Sequence, residues 1–197
     1  MTNHYDLVIL GGGGLRRRYR SGPPQFAYAH YKCRSAYRRH LRQQLETVAA
    51  REGKIAVENA FADAGKTLDL QSVPYAVFTD PEVASVGLTE ARYMALHGAC
   101  SCRTVSLDRV PRAVAVKDTR GLLKMVAHHQ TGQVMGVHIL APNASEMIHE
   151  AVLAVKHGLT VDDLIDTVHV FPTYSEAIKI AAQAFRRDIS TMSCCVE

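Results

Sequence analysis

The sequence has no long hydrophobic run, and this absence narrows the class of protein. No stretch approaches the ~18 consecutive apolar residues that a membrane-spanning helix needs, so we expect no membrane anchor. The apolar run at the start of the chain covers only Leu7 to Leu10, follows Asp6 and leads into glycines. Such a run is too short for a secretory signal peptide, and we therefore expect a cytoplasmic protein. The 197 residues suffice for one well-cored domain, or for one domain plus a fragment.

Cysteines are few, and their number argues against a disulfide-stabilised scaffold. In a reducing cytoplasm we expect free thiols, and an odd number of cysteines raises no pairing problem there. The five residues are Cys33, Cys100, Cys102, Cys194 and Cys195.

Acidic residues are absent between Gly14 and Leu45, whereas Lys and Arg are frequent there. The net charge of +4 therefore resides in this part of the chain. Residues 14–47 show no sustained helical or strand period. Two interpretations fit this composition: a basic arm with interleaved tyrosines that binds nucleic acid, or an irregular segment with no selected role. We favour the second and expect no nucleic-acid partner.

The first 13 residues begin like a dinucleotide-binding unit but lack its continuation. Residues 5–10, YDLVIL, predict a buried strand that leads into a glycine turn containing Gly11 and Gly13. Close packing of the following helix requires a small residue three positions after the second glycine, where this chain has Arg16. No acidic residue follows about 20 positions on to bind a ribose. We interpret residues 1–13 as a remnant in which both glycines are vestigial.

Regular hydrophobic patterns begin after residue 47. A helix is predicted within residues 48–66, and its apolar residues fall mainly on one face: Val48, Ala49, Ile55, Ala56, Ala60 and Phe61.

Residues 72–188 are predicted to form the main folding unit. They contain five strand patterns and four helix patterns, with Thr89 and Thr160 as N-caps and Asn143 or Ser145 at the start of the long helix. The last helix is predicted over 174–188, with Thr173 at its cap. Strands in a block with most helices at the end predict an α+β fold, an antiparallel sheet covered by helices.

The last nine residues, 189–197, have no core-forming pattern and are expected to be mobile. They contain the adjacent Cys194 and Cys195, whose Cα atoms lie ~3.8 Å apart across a trans peptide, below the ~4.4 Å lower end of disulfide geometry. We therefore expect a dithiol, and two thiolates suit a soft metal cation. A chance pair without function is the alternative.

Other potential metal ligands are weaker candidates. Cys100 and Cys102 alternate on one face of a predicted strand, but further ligands are missing nearby, so two small residues on a half-buried strand are the favoured interpretation. Four histidines are expected to be solvated, two beside a hairpin turn and two on the long helix: His128, His129, His149 and His157.

Several stretches together resemble a known family, the flavoprotein disulfide reductases, in their C-terminal dimerisation domain. The resemblance is carried by VPYAVFTDPEVASVGLTEA, DTRGLLKMV, GVHILAPNASEMIHEAVLAVKHGLTVDDL and HVFPTYSEAIKIAAQAF. It covers about residues 48–197, with a separate short match at 3–13 that resembles the start of an FAD-binding βαβ unit. The terminal SCC is similar to the mercuric reductase branch in particular.

The resemblance also assigns roles to individual residues. Dithiol-reducing relatives carry His-x-His-Pro-Thr followed by Ser-Glu, in which the Glu holds the second His, the acid-base partner of the redox thiols. Here His169 and Glu176 match the first His and the Glu, whereas Phe171 replaces the second His and cannot carry a proton. Tyr174 would help to line a metal path, although a core or cap position would also explain it.

For the whole protein, the resemblance implies mercury(II) reduction by a homodimer. Cys194 and Cys195 of one subunit would collect Hg(II) and pass it to a redox cysteine pair beside the FAD of the other, and NADPH would supply the electrons. This sequence lacks the C-x4-C redox pair, the NADPH-binding unit and most of the FAD-binding unit. We therefore expect an internally deleted mercury(II) reductase that retains Hg(II) capture and dimerisation without turnover. The alternative is a non-catalytic soft-metal-binding dimer module.

Overall fold

The computed structural model describes residues 45–62, 65–99 and 101–188. Tertiary contacts divide the chain after Leu68, so the helix before this point and the sheet after it are described separately. The helices of the described ranges are α1 (Glu46–Ala62), α2 (Glu90–His97), α3 (Pro111–Ala115), α4 (Ala144–His157), α5 (Val161–Asp166) and α6 (Glu176–Gln183). The strands are β1 (Tyr75–Val77), β2 (Glu82–Gly87), β3 (Ser101–Ser106), β4 (Leu122–Ala127) and β5 (Val134–Ala141).

Helix α1 buries one face, as its sequence pattern predicts, but that face is narrower than expected. Val48 and Ile55 are buried, and their separation of seven residues places them on the same side of the helix. The prediction that Phe61 shares this face is wrong, because its side chain is 82% exposed. At about 100° per residue, Phe61 lies roughly 120° around the helix from Ile55.

The sheet is antiparallel throughout, with the strand order β1-β2-β5-β4-β3. One face is covered by α4, which packs on β2 and β5, and by α6, which packs on β4 and β3. The predicted α+β fold, an antiparallel sheet covered by helices, is confirmed. The core between sheet and helices contains these fully buried side chains: Leu123, Met125, Ile139, Ile148 and Ile178.

Two glycines allow β2 and β5 to approach closely where β2 ends. Gly87 and Gly136 are directly opposite each other, and Gly87 has a φ of 80°, which favours glycine. A Cβ atom on Gly136 would lie 2.8 Å from the backbone nitrogen of Leu88. That nitrogen donates to the carbonyl oxygen of Met135 at 2.8 Å, so a side chain at Gly136 would displace this bond.

Helix α4 begins at a cap that local sequence did not identify. Asn143 is the N-cap residue, one of the two predicted positions, but it has a left-handed conformation and its side chain makes no capping bond. The carboxylate of Glu82 on β2 takes that role, accepting from the Ser145 backbone nitrogen at 2.9 Å and from the Ser145 hydroxyl at 2.7 Å. A negative charge here also complements the positive end of the helix dipole.

We expect Glu82→Ala to reduce the free energy of unfolding by about 1–3 kcal/mol, since two hydrogen bonds to a charged acceptor are lost and the helix end is left uncapped. Urea unfolding followed by circular dichroism measures this change. Glu146→Ala is the matched control, because it removes an exposed carboxylate from the first turn of the same helix. Equal losses in both variants would show that Glu82 is not a specific cap.

Helix α6 is shorter than predicted at both ends. It begins at Glu176 because the Glu176 carboxylate accepts from the backbone nitrogen of Thr173 at 2.9 Å, which leaves residues 173–175 as a turn. The prediction of Thr173 as the cap is wrong, since Ser175 is the N-cap residue and makes no side-chain capping bond. The regular helix ends at Gln183, before the predicted 188, and the next carbonyl, that of Ala184, accepts from Arg103.

Candidate functional site

Four of the six residues predicted for the functional site lie outside the described residues. These are Cys194 and Cys195, the predicted metal ligands and catalytic thiols, and Gly11 and Gly13, the vestigial cofactor glycines. The structure does describe Tyr174 and Glu176, together with the segment that leads to them from the end of α5. Within the described ranges, no group of three or more His, Cys, Asp or Glu side chains is arranged to hold a metal ion.

His169 links the segment between α5 and α6, residues 167–175, to helix α4. Its Nε2 lies 2.8 Å from Oε1 of Glu150, and its Nδ1 lies 3.0 Å from the carbonyl oxygen of Thr167. A carbonyl oxygen and a carboxylate oxygen are both acceptors, so each ring nitrogen of His169 faces an acceptor. The side chain is only 8% exposed, and both ring nitrogens are engaged. His169 is therefore placed as a structural link between the segment and α4.

Beside this link, four apolar side chains face outward, and we call them the loop patch: Leu153, Val168, Val170 and Phe171. Val168 is 82% exposed, Val170 77% and Phe171 51%, and Leu153 on α4 is more than half exposed. Leu153 follows Glu150 by three residues, so both lie on the same side of the helix, and Val168 and Val170 are the chain neighbours of His169. Clustered exposed apolar side chains of this kind mark an interaction surface.

Glu176 and Tyr174 both have defined structural contacts. The Glu176 carboxylate caps the turn at Thr173 by accepting from the Thr173 backbone nitrogen at 2.9 Å. The Tyr174 hydroxyl donates to the carbonyl oxygen of Asp118 at 3.3 Å, and its ring packs against the core. Burial raises the pKa of Tyr174, and the nearby Asp118 carboxylate raises it further. Its place on a metal path remains a prediction.

Asp118, whose backbone carbonyl accepts from Tyr174, belongs to a charged cluster that the sequence did not reveal. Arg120 donates from Nε to Oδ1 of Asp118 at 2.9 Å and from Nη2 to Oδ1 of Asp80 at 2.9 Å. Its guanidinium lowers the pKa of Asp118, mainly through hydrogen bonding. Asp80 and Asp118 are 38 positions apart in the chain, and no local motif signals their pairing through one arginine.

The weaker metal candidates are placed as follows. Cys102 is half-buried and its thiol donates to Oε1 of Glu90 at 3.0 Å, while Cys100 lies outside the described residues.

The expectation that His128 is solvated is wrong. It is half-buried because its Nδ1 accepts from the backbone nitrogens of Thr131 and Gln130, at 3.2 and 3.3 Å, and so holds the hairpin turn. The other three histidines are exposed as predicted: His129, His149 and His157.

A second histidine pair, also missed in the sequence, lies across β2 and β5. Nδ1 of His138 is 2.5 Å from the Ser85 hydroxyl oxygen, and its Nε2 is 3.2 Å from the carbonyl oxygen of Leu88. Since that carbonyl accepts from Nε2, Nδ1 is left as the acceptor for the serine hydroxyl. Burial lowers the pKa of His138, and the positive charge of Lys124 lowers it further. The neutral imidazole is the form that fits this position.

This pair predicts a pH dependence of stability. Because the pKa of His138 is lower in the folded chain than its ordinary value of 6.5, the unfolded chain binds the proton more readily. The contribution of neutral His138 to the free energy of unfolding is therefore present above pH 6.5 and is lost as the pH falls below that value. We expect His138→Gln to flatten the change in free energy of unfolding between pH 7.5 and about 5.5. The exposed His149→Gln is the control, and an unchanged pH profile in His138→Gln would contradict the assignment.

The described residues do not fit a dinucleotide cofactor. FAD and NADPH units of the βαβ type bind the pyrophosphate at a glycine turn between parallel strands and a helix. Every strand pair in the described part of the chain is antiparallel, so this part supplies no such turn. No helix among the residues described is long and apolar enough to cross a membrane.

Residues 73–182 match the pyridine nucleotide-disulphide oxidoreductase dimerisation domain. The chain belongs to this family. Mercuric reductases are similar to it: that of Streptomyces lividans is 45% identical over 148 residues, covering 75% of this chain and 31% of the relative. That of Lysinibacillus sphaericus is 44% identical over 155 residues, covering 79% and 28% respectively. The predicted resemblance is confirmed.

Solved structures of disulfide oxidoreductases share the fold of this dimerisation domain. LpdA from Mycobacterium tuberculosis aligns with a TM-score of 0.68 at 32% identity, covering 75% of this chain and 32% of LpdA. The HOCl-induced flavoprotein disulfide reductase RclA from Escherichia coli aligns with a TM-score of 0.65 at 27% identity, covering 72% and 33%. The chain thus spans about a third of the length of the relatives it matches.

Proposed function

We propose that this chain is the dimerisation and metal-capture part of a mercury(II) reductase, an oxidoreductase that uses NADPH and FAD to reduce Hg(II) to Hg(0). The observation that carries the proposal is the 45% identity to the Streptomyces lividans mercuric reductase. Phe171 supports it, because transfer of a metal ion between thiols has less need of the proton carrier that dithiol reduction requires.

Hg(II) capture is assigned to Cys194 and Cys195. Two adjacent thiolates supply the soft donors that this cation prefers, and the strained geometry of a disulfide between neighbours keeps them reduced. A reducing compartment, the cytoplasm, suits this role. Turnover requires a flavin-binding unit, of which the sequence predicts only a vestigial glycine turn at Gly11 and Gly13. We propose that the chain alone binds Hg(II) without reducing it.

A homodimer is proposed to form through the loop patch. Three of its four exposed apolar side chains lie on the segment that the His169–Glu150 contact ties to α4, and the fourth lies on α4 itself, so their burial costs less conformational entropy than that of an untethered loop. The apolar centre of such a patch, with polar groups around it, has the composition of a protein–protein interface. Dimerisation would bring the C-terminal tail of each subunit within reach of its partner.

Titration of the purified, fully reduced chain with Hg(II) tests the proposal. We expect one equivalent to bind per chain, seen as thiolate-to-metal absorbance in the ultraviolet, and to resist competition by excess Zn(II). An equal preference for Zn(II) and Hg(II) would reject metal capture as proposed.

A non-catalytic soft-metal-binding module is the second candidate, and the wholly antiparallel sheet of the described residues favours it. Addition of FAD and NADPH to the Hg(II)-loaded chain separates the two candidates. Release of Hg(0) vapour together with NADPH oxidation would identify a competent enzyme, whereas a stable Hg(II) complex would identify the module.

A further inference from the structure

An open cavity of about 530 Å³ is lined by residues of α5 and of the end of α6, and we call it the α5–α6 cavity. A volume of this size falls within the range of small-molecule sites, ~300–1,000 Å³. On each side the lining residues recur at spacings of three and four, as expected for one helical face: Asp162, Ile165 and Asp166, and Gln183, Arg186 and Arg187. Most of these side chains carry a charge or a hydrogen-bonding group, so the cavity suits a small polar molecule.

Gln183 is the lining residue that most needs a partner. It is only 4% exposed, and among the described residues none forms a hydrogen bond with its side-chain amide. Its backbone carbonyl, by contrast, accepts from the backbone nitrogens of Arg186 and Arg187 at 2.9 and 3.0 Å. A buried amide without a partner costs free energy, and buried polar side chains are for that reason almost always hydrogen-bonded. Because Gln183 lines the cavity, a partner for this amide reaches it from there.

The four charged side chains of the cavity divide into one pair and two that are left over. Arg186 and Asp162 form a bidentate pair, with Nε 2.7 Å from Oδ1 and Nη2 2.6 Å from Oδ2. Asp166 and Arg187 form no ion pair with each other or with any other described residue. The cavity therefore presents one unpaired carboxylate and one unpaired guanidinium. A zwitterion neutralises both of these charges, whereas a simple anion or cation leaves one of them without a partner.

We propose that the α5–α6 cavity binds a small zwitterionic peptide, with Asp166 facing its ammonium group, Arg187 its carboxylate and Gln183 a peptide bond between them. The amide of Gln183 both donates and accepts, as a peptide bond does, so the two groups can pair. A dipeptide fits better than a free amino acid, whose two charges share one carbon atom, because Asp166 and Arg187 come from different elements and are not paired with each other. This site goes beyond the proposed Hg(II) chemistry and does not depend on it.

Titration of the full chain with alanylalanine, followed by nitrogen-15 NMR, tests the proposal. We expect the side-chain amide resonance of Gln183 to shift until the site is saturated. The N-acetylated dipeptide lacks the ammonium group, and the C-terminally amidated dipeptide lacks the carboxylate. We expect each of these to bind about two- to fivefold more weakly, because each loses one partly exposed ion pair. No saturable shift at Gln183, or equal binding of all three peptides, would overturn the proposal.

Two charge variants test which group of the peptide each residue faces. Asp166→Asn should weaken the binding of alanylalanine by about two- to fivefold and leave that of the N-acetylated peptide unchanged. Arg187→Gln should have the same effect on alanylalanine and leave the binding of the amidated peptide unchanged. Asp108→Asn combined with Arg109→Gln is the matched control, because it makes the same charge changes at exposed residues that do not line the cavity. Losses in this control equal to those in the cavity variants would contradict the assignment.

Gln183→Met separates a ligand-binding role of the amide from a structural one. Methionine has a similar length but no amide, so we expect weaker binding of alanylalanine together with an unchanged or higher free energy of unfolding in the absence of peptide. Lower stability with unchanged peptide binding would show that the amide is structural and would overturn the proposal. None of these assays contains a metal ion, so their outcome is independent of whether Cys194 and Cys195 bind Hg(II).

Discussion

The Cys194→Ala, Cys195→Ala double variant is expected to lose tight Hg(II) binding altogether. Loss of a supporting hydrogen bond around a metal ligand already costs ~10–100-fold in affinity, and loss of both ligands should cost considerably more. Equilibrium competition against a small dithiol measures the change. The free energy of unfolding should not change, since a terminal segment without core-forming residues contributes little to it.

Cys102→Ser is the matched control for this prediction. Cys102 is a half-buried thiol whose hydrogen bond to Glu90 a serine hydroxyl can replace. We therefore expect this variant to keep the Hg(II) affinity and stoichiometry of the native chain. If the double variant still bound one Hg(II) tightly, or if Cys102→Ser abolished binding, the assignment of Cys194 and Cys195 would be wrong.

The second large effect is expected at the loop patch. Val170→Asp combined with Phe171→Asp places two carboxylates at the centre of the proposed dimer interface. An uncompensated charge buried at an interface costs on the order of 2–5 kcal/mol, which raises the dissociation constant by about 30-fold or more. Sedimentation equilibrium should show monomers at concentrations where the native chain is dimeric.

Phe78→Asp is the matched control for the dimer. Phe78 is 81% exposed, like the residues of the patch, but it directly follows β1 and lies outside the segment 168–171. Both sets of substitutions alter exposed side chains, so neither should change the secondary structure of the chain. Dissociation by Phe78→Asp, or dimers that persist in the Val170→Asp, Phe171→Asp variant, would place the interface elsewhere.

Much of the fold followed from local patterns. The hydrophobic pattern located the five strands of the described ranges, and the side-chain chemistry of Thr89 and Thr160 located two helix starts, where both hydroxyls accept backbone bonds. Gly158 ends α4 in the left-handed conformation, as a glycine after a periodic segment predicts. Each of these features depends on residues within one or two turns of each other, which is why the sequence sufficed.

The predictions failed where a contact joins residues that are far apart in the chain. The start of α4 was placed correctly, but its cap comes from Glu82, 63 positions before Ser145. The expected extent of α6 did not include the Arg103 bond to Ala184, across 81 positions. His138 was not singled out at all, because its partner Ser85 is 53 positions away and becomes its neighbour only through the register of β2 and β5.

The sequence by itself determined the antiparallel α+β fold, the likeness to mercuric reductases and the presence of two neighbouring thiols. These depend on residue type, short-range periodicity and covalent adjacency, all of which can be read along the chain. Only the tertiary structure decided that His169 is tied to Glu150, that Glu176 closes a turn and that two arginines fix the end of α6. Such contacts join side chains from separate elements, and their geometry exists only once the sheet has brought those elements together.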